Sequence, residues 1–595
     1  LLLYCLIDIS PAGRRMTRLP HRLTILAAGA LLGGCATQAP LTDFTANSGG
    51  PRAPEQLAVT FEKADLALHV DPATQSIRGD AALTFTANAL ATTPLTRIAV
   101  ELDRNLPVDG ASVDGVELAR SAISNPDGRL YLTLPTPLAS GASTTVRIRY
   151  HGVPHVAKRA PWDGAFVWST TGDGQPWIAT TVEGEGCDLF WPCIDHPMGK
   201  AKLIDLHISV PAPLVVAGNG VAVGMDEQDG WRTYHWRARH PSTYGVALNI
   251  GPYEMLSGDY ASRYGNTIPL RMWYLKGHER QAKGLFAEFA PMLDFFERRI
   301  GPYPFGDEKM GVVETPHLGM EHQTINAYGN GYLKSPYGYD WLLHHELSHE
   351  WFGNQMTNAD WDDMWLHEGF GSYMQPLYLQ WLRGDMEFQA ELFNHRKSLR
   401  NKVPVVSGKP QRIEDVYNDE RGGPGNDIYT KGSLILHTLR NLIGDDAFFH
   451  ATRRMVYGTD TPTPGHFQPR WSSTREFIAI TNEVSGRDLG WFFDAYLYHA
   501  ALPELAETRS GDTLQLAWKL KDGGPFPMPL QVRIVDDQGE RIAQLPMTEG
   551  RGELTLAANA HYTVDPASRV LRQEAQIDEW KRDEDERKKK KAKAS

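Results

Sequence analysis

His345-Glu346-Leu347-Ser348-His349 sets two imidazoles four residues apart, so that a helix would present both on one face to a single metal ion. The apolar run Trp341-Leu342-Leu343 leads into this stretch and favours a helix with a buried side. A catalytic zinc takes three protein ligands and keeps one position open, and Glu368, nineteen residues beyond His349, can supply the third from a following helix. Glu346 lies next to the first ligand but points past it, where a carboxylate can act as general base toward an attacking water. The spacing therefore predicts one Zn²⁺ per chain, held by His345, His349 and Glu368, in a hydrolytic site.

Outward from this site the texture changes in both directions. Toward the N-terminus, Leu66, Leu68 and Val70 alternate with other residues up to the turn pair Asp71-Pro72, Leu83 and Phe85 follow, and Val146, Ile148 and Tyr150 repeat the pattern. Period-two alternation between turn residues predicts an N-terminal antiparallel β domain over residues 56–257. Helical texture over 279–296, 341–351 and 368–383 marks a mainly helical catalytic domain at 258–500. Leu514, Leu516 and Trp518, then Leu530, Val532 and Ile534, restore alternation and predict a small C-terminal β-sandwich at 501–570. The fold class is multidomain α+β. Residues 571–595 carry like charges in blocks without an apolar face and read as a solvated, mobile tail.

Composition removes several functions. The chain has 595 residues, too many for one small module, and its formal charge of -12 leaves no global basic field for nucleic acid. Four cysteines are too few for a disulfide-stapled scaffold, and Cys187 and Cys193 read equally well as a bonded pair or as buried thiols. From Met16 the chain shows Arg18 and Arg22, the apolar run Leu23 to Leu32, and then Gly33-Gly34-Cys35, which resembles a bacterial lipoprotein signal with its lipobox. Residues 1–35 are thus expected to be a signal region whose true start is Met16, with lipid on Cys35, and residues 36–55 a flexible linker. Ala36 beside Cys35 resembles a sorting signal for the outer membrane, which implies an envelope enzyme facing the periplasm.

The metal motif continues as Trp351-Phe352-Gly353-Asn354 and Trp365-Leu366-His367-Glu368-Gly369-Phe370, and on these residues the chain resembles the gluzincin aminopeptidases, the family of membrane alanyl aminopeptidase and leukotriene A4 hydrolase. The resemblance covers residues 55 to 570 and implies a thermolysin-like catalytic domain. It implies that Leu318-Gly319-Met320-Glu321-His322 stands at the family's G-x-M-E-N motif, with Glu321 binding the substrate's free α-amine and Gly319 and Met320 lining the substrate site. Leu318 and His322 depart from that motif. Thr180-Thr181-Val182-Glu183 resembles the family's T-Q-x-E, which makes Glu183 a second amine anchor, with Glu185 its near competitor. Tyr429-Thr430-Lys431-Gly432 resembles Y-x-K-G and implies that Tyr429 donates to the oxyanion of the transition state. Asp363 is a candidate to orient a histidine ligand. The expected substrates are peptides with a free N-terminus; a general zinc endopeptidase and an inactive peptide-binding relative are the alternatives.

Overall fold

The computed structural model describes residues 39–465 and 467–594, so Cys35 and the signal region lie outside the described residues. Leu66, Leu68 and Val70 leave the strand Val59–Asp71 on one side and are buried, as a spacing of two requires. This strand pairs antiparallel with Ser76–Ala87 and parallel with Leu203–Pro211, inside an eight-stranded sheet that is otherwise antiparallel. The parallel pairing was not visible as alternation, because the period is two in either direction. The long connection between the paired strands also builds a three-stranded sheet and half of a four-stranded one, in which Pro176–Thr181 is an inner strand. Glu183 lies in the turn just after it.

The strand Tyr253–Ala261 pairs with Thr267–Leu275 in a second, five-stranded sheet that carries the catalytic helices. The expected boundary at 257/258 would cut this strand; hydrogen bonding moves it to about residue 252. The far edge of the sheet is the short strand Gly319–Met320, antiparallel to Asn326–Tyr328. Three helices pack beyond it: the motif helix Trp341–Ser348, the glutamate helix Trp365–Arg383 and the tyrosine helix Thr430–Ile443. Asp340 caps the first, its Oδ1 accepting from the Leu343 N–H at 2.9 Å. After residue 503 two three-stranded sheets form the expected C-terminal sandwich, including Thr513–Lys519 and Leu530–Asp536.

The β domain and the catalytic domain are joined by buried amines. Lys200 Nζ donates to the Asn354 carbonyl at 2.7 Å, and Lys309 Nζ donates to the carbonyls of Gly218 and Gly220 while lying over the Trp236 ring.

Two segments differ from expectation, and one open alternative is decided. Residues 41–53, read as part of a flexible linker, pack on the body: Ser48 N–H donates to Gly184 O, Ser48 Oγ donates to Asp195 Oδ1, and Arg129 lies over Phe44. Small polar side chains satisfied by hydrogen bonds look the same in composition as solvated ones. The tail forms the helix Ala575–Ala594, whose first turns dock through buried Ile577, Lys581 to Leu399 O, and Lys397 over Trp580. Cys187 and Cys193 form a disulfide.

Candidate active site

Glycines set the distances between the three helices. A Cβ on Gly432 would stand 2.9 Å from Gly369 Cα, so the tyrosine and glutamate helices cross backbone to backbone. A Cβ on Gly371 would meet Ser348 Oγ at 2.8 Å and His349 Cε1 at 3.5 Å, so the motif helix is admitted equally closely. Glu368 stands next to Gly369 and Tyr429 three residues before Gly432, which brings both to the two histidines.

His345 Nε2 and His349 Nε2 lie 3.3 Å apart, and Glu368 Oε2 is 3.4 Å from the first and 3.6 Å from the second. Tetrahedral ligands about 2.0–2.1 Å from a zinc ion stand roughly 3.3 Å from one another, so this triangle has the dimensions of a zinc shell. Glu368 Oε2 is buried with no hydrogen-bond donor, as an oxygen reserved for a cation would be. The residues present fit the metal that the spacing predicts. His349 Nδ1 faces the Phe352 carbonyl at 2.9 Å, which fixes Nε2 as the free nitrogen. Burial opposes ionisation of Glu368, but His349, His345 and a hydrogen bond from Tyr429 outweigh it and hold the carboxyl at about 2.

Glu346 lines the same cavity. A Cβ on Gly319 would lie 2.4 Å from its Oε1, so only a glycine on the edge strand leaves the carboxylate its place. Burial, then Glu321, pushes the Glu346 carboxyl well above the usual range. Glu183 is raised in the same way, by burial first and then by Glu321 and Glu368. Four carboxylates, Glu183, Glu321, Glu346 and Glu368, therefore share one buried region, and among the described residues no lysine or arginine pairs with any of them. Such a region calls for cations. Met320 is buried beside Glu321 on the edge strand.

Two tyrosines hold this group together. Tyr417 Oη is 3.0 Å from Glu183 Oε1 and 3.1 Å from Glu368 Oε1, so its single proton links the turn of the β domain to the metal shell. Tyr244 Oη donates to Glu321 Oε1 at 3.0 Å. Tyr429 lies beside Tyr417 and His345, partly exposed. Burial and then Glu368 push its phenol well above the ordinary value, so it stays protonated and able to donate.

One candidate fails here and one competitor drops out. Asp363 does not reach a histidine ligand; its Oδ1 accepts from the Thr474 N–H at 2.8 Å at the start of another helix, and burial raises it to about 6. Glu185 turns away from Glu183, because the chain has left the strand at Thr181, and accepts instead from the Gly164 N–H.

Residues 294–496 match the peptidase family M1 domain, and residues 61–244 match the peptidase M1 N-terminal domain. The chain belongs to peptidase family M1. Aminopeptidase M1-B of Oryza sativa subsp. japonica is 24% identical over 490 residues, 78% of this chain and 52% of that protein. Leukotriene A-4 hydrolase of Xenopus laevis is 26% identical over 336 residues, 54% of this chain and 52% of that protein. The matched part of this M1 chain thus spans about half the length of these relatives. The M1 zinc metallopeptidase from Deinococcus radiodurans superposes with a TM-score of 0.62 at 26% identity, covering 75% of this chain and 95% of that one. A mutant of that enzyme, solved with a Tyr-Ser-Ala substrate, gives 0.63 at 26% identity over 75% and 96%.

Within the M1 frame, His367 stands where the family has asparagine. Its Nε2 accepts from the Asn358 N–H at 2.9 Å, and burial lowers it to about 3, so the ring is a neutral acceptor that ties the glutamate helix to a neighbouring strand. Tyr417, Tyr244 and the Phe352 carbonyl were not read from the sequence. No spacing marks the two tyrosines, which reach the site from separate segments, and the Phe352 carbonyl, three residues after His349, is a backbone group that residue type does not reveal.

Proposed function

We propose that this M1 chain is a zinc-dependent aminopeptidase that hydrolyses the first peptide bond of peptides bearing a free α-amine. Zinc held by His345, His349 and Glu368 would supply Lewis-acid polarisation and lower the pKa of water at neutral pH. Glu346 takes the proton of the attacking water and passes it to the leaving amine. Tyr429 donates to the carbonyl oxygen as it becomes anionic, an interaction strongest in the transition state. Glu321 and Glu183 accept from the substrate ammonium and so fix the first bond at the metal. Met320 and Gly319 line the position of the first residue.

The observation that carries this reading is the pair Glu321 and Glu183, buried next to the histidine triangle and, among the described residues, paired with no lysine or arginine. Charge-assisted hydrogen bonds contribute roughly 1.5–3 kcal/mol each, so losing two should separate free-amine from N-acetylated substrates by at least about a hundredfold. Glu321→Gln should reduce cleavage of free-amine peptides severely while hardly altering that of acetylated ones. Equal rates on both substrates in the wild-type enzyme would make a general zinc endopeptidase the better reading. The lipoprotein-like stretch ending at Cys35 supports a lipid-anchored enzyme at the outer membrane. Cys35→Ser protein should then leave the membrane fraction.

A further inference from the structure

On the eight-stranded sheet, away from the catalytic cleft, His207 and His235 stand directly opposite one another on antiparallel strands Leu203–Pro211 and Trp231–Arg239. Their Nδ1 atoms are 2.6 Å apart. The outer nitrogen of each ring faces a carboxylate: His235 Nε2 is 3.0 Å from Asp226 Oδ2, and His207 Nε2 is 3.3 Å from Asp65 Oδ1. Carboxylates only accept, so each Nε2 carries its hydrogen, and a ring with that one hydrogen keeps a lone pair on Nδ1. Two such nitrogens facing each other at this distance are bridged by an electrophile, a shared proton or a metal ion in its place.

We propose that His207 and His235 form a second metal site for a nitrogen-seeking divalent ion, Cu²⁺ or Zn²⁺. Imidazoles that ligate metals almost always donate their other N–H to a carboxylate, which is the arrangement both rings already have. Metal–nitrogen bonds of about 2.0–2.1 Å require the two Nδ1 atoms to part by roughly 0.7 Å, a small rotation for half-exposed side chains. The local charge agrees: three carboxylates, Asp65, Asp205 and Asp226, outnumber the two cations Lys63 and Arg237 around the rings. Side-chain exposures of 34% and 23% leave the site open to solvent, which would complete the coordination. Cu²⁺ should bind more tightly than Zn²⁺.

The test titrates Cu²⁺ into the zinc-loaded full chain at neutral pH, following heat, electron paramagnetic resonance and retained zinc. One Cu²⁺ beyond the resident zinc, with a two-nitrogen spectrum, is expected. His207→Gln and His235→Gln should each weaken that binding at least about tenfold, and Asp226→Asn about ten- to a hundredfold. His69→Gln, whose ring stacks on Trp231, should leave it unchanged, as should the aminopeptidase rate in all four. Absence of a copper ion beyond the resident zinc, or copper bound equally well by both histidine variants with unchanged melting temperature, overturns the site.

Discussion

Gly432→Ala should damage catalysis through one added methyl group. In most exposed helix positions this change stabilises a helix by about 1 kcal/mol, because alanine has the better propensity. Here the new Cβ would sit 2.9 Å from Gly369 Cα, against an ordinary carbon contact of about 3.5–4.0 Å, and the obstacle is backbone. The two helices must part by roughly 0.6–1 Å. Overpacking of this kind costs about 1–3 kcal/mol, so the net effect on stability should be a loss of up to about 2 kcal/mol. Tyr429 rides on one helix and Glu368 on the other, and a misplacement near 1 Å costs on the order of a hundredfold in rate. Aminoacyl-anilide kinetics, zinc content and thermal melting measure all three. The expected result is kcat lower by about thirty- to a hundredfold, zinc retained and a lower melting temperature. Gly284→Ala is the control: its Cβ meets nothing within 4 Å, so it should only stabilise. If Gly432→Ala melts higher than wild type and keeps kcat within about threefold, the glycine crossing does not position Tyr429 and the reasoning fails.

Glu346→Gln should retain zinc and lose about a thousandfold in turnover, checked by metal analysis beside steady-state kinetics. Tyr429→Phe should lower kcat much more than it raises KM; an effect on KM alone would make it a binding residue. Tyr417→Phe, which cuts the link between Glu183 and Glu368, should weaken zinc retention or activity about ten- to a hundredfold. Burial lowers the Lys200 amine to about 7, so between that pH and about 10 the unfolded chain binds more protons and stability rises with pH. Lys200→Met removes this dependence, so its melting temperature should exceed that of wild type most below pH 7 and by less near pH 10.

Much of the metal site was legible because spacing along a helix is a three-dimensional statement. Four residues separate His345 from His349, and one turn puts both rings on one side whatever surrounds them. Glu368 was found because the ligand number of zinc demanded it. Asp363 was misassigned by sequence proximity: it stands five residues before Glu368, yet the short turn Trp361–Asp363 points it at Thr474. Tyr417 and Tyr244 had no such signal, since a lone tyrosine in a loop carries no period. The N-terminal segment and the tail show a related limit. Composition distinguishes polar from apolar, but not a polar group in water from one satisfied by Gly184 or Asp195. In the tail, the like charges within each block repel along the chain, but where an acidic block meets a basic one the helix brings opposite charges together four apart, as in Glu586 and Lys590.

Glu183 reaches the metal shell from the β domain, through Tyr417, while every zinc ligand comes from the helical one. Of the two proposed amine anchors, Glu183 therefore comes from the β domain and Glu321 from the edge of the catalytic domain's own sheet, so the proposed grip on the peptide's first residue straddles two architectural units. Joined by buried amines at Lys200 and Lys309, they cannot drift apart without stranding those amines away from their carbonyls. A chimera that exchanged only the β domain should keep its metal and Glu321 and lose one of the two proposed grips on the α-amine.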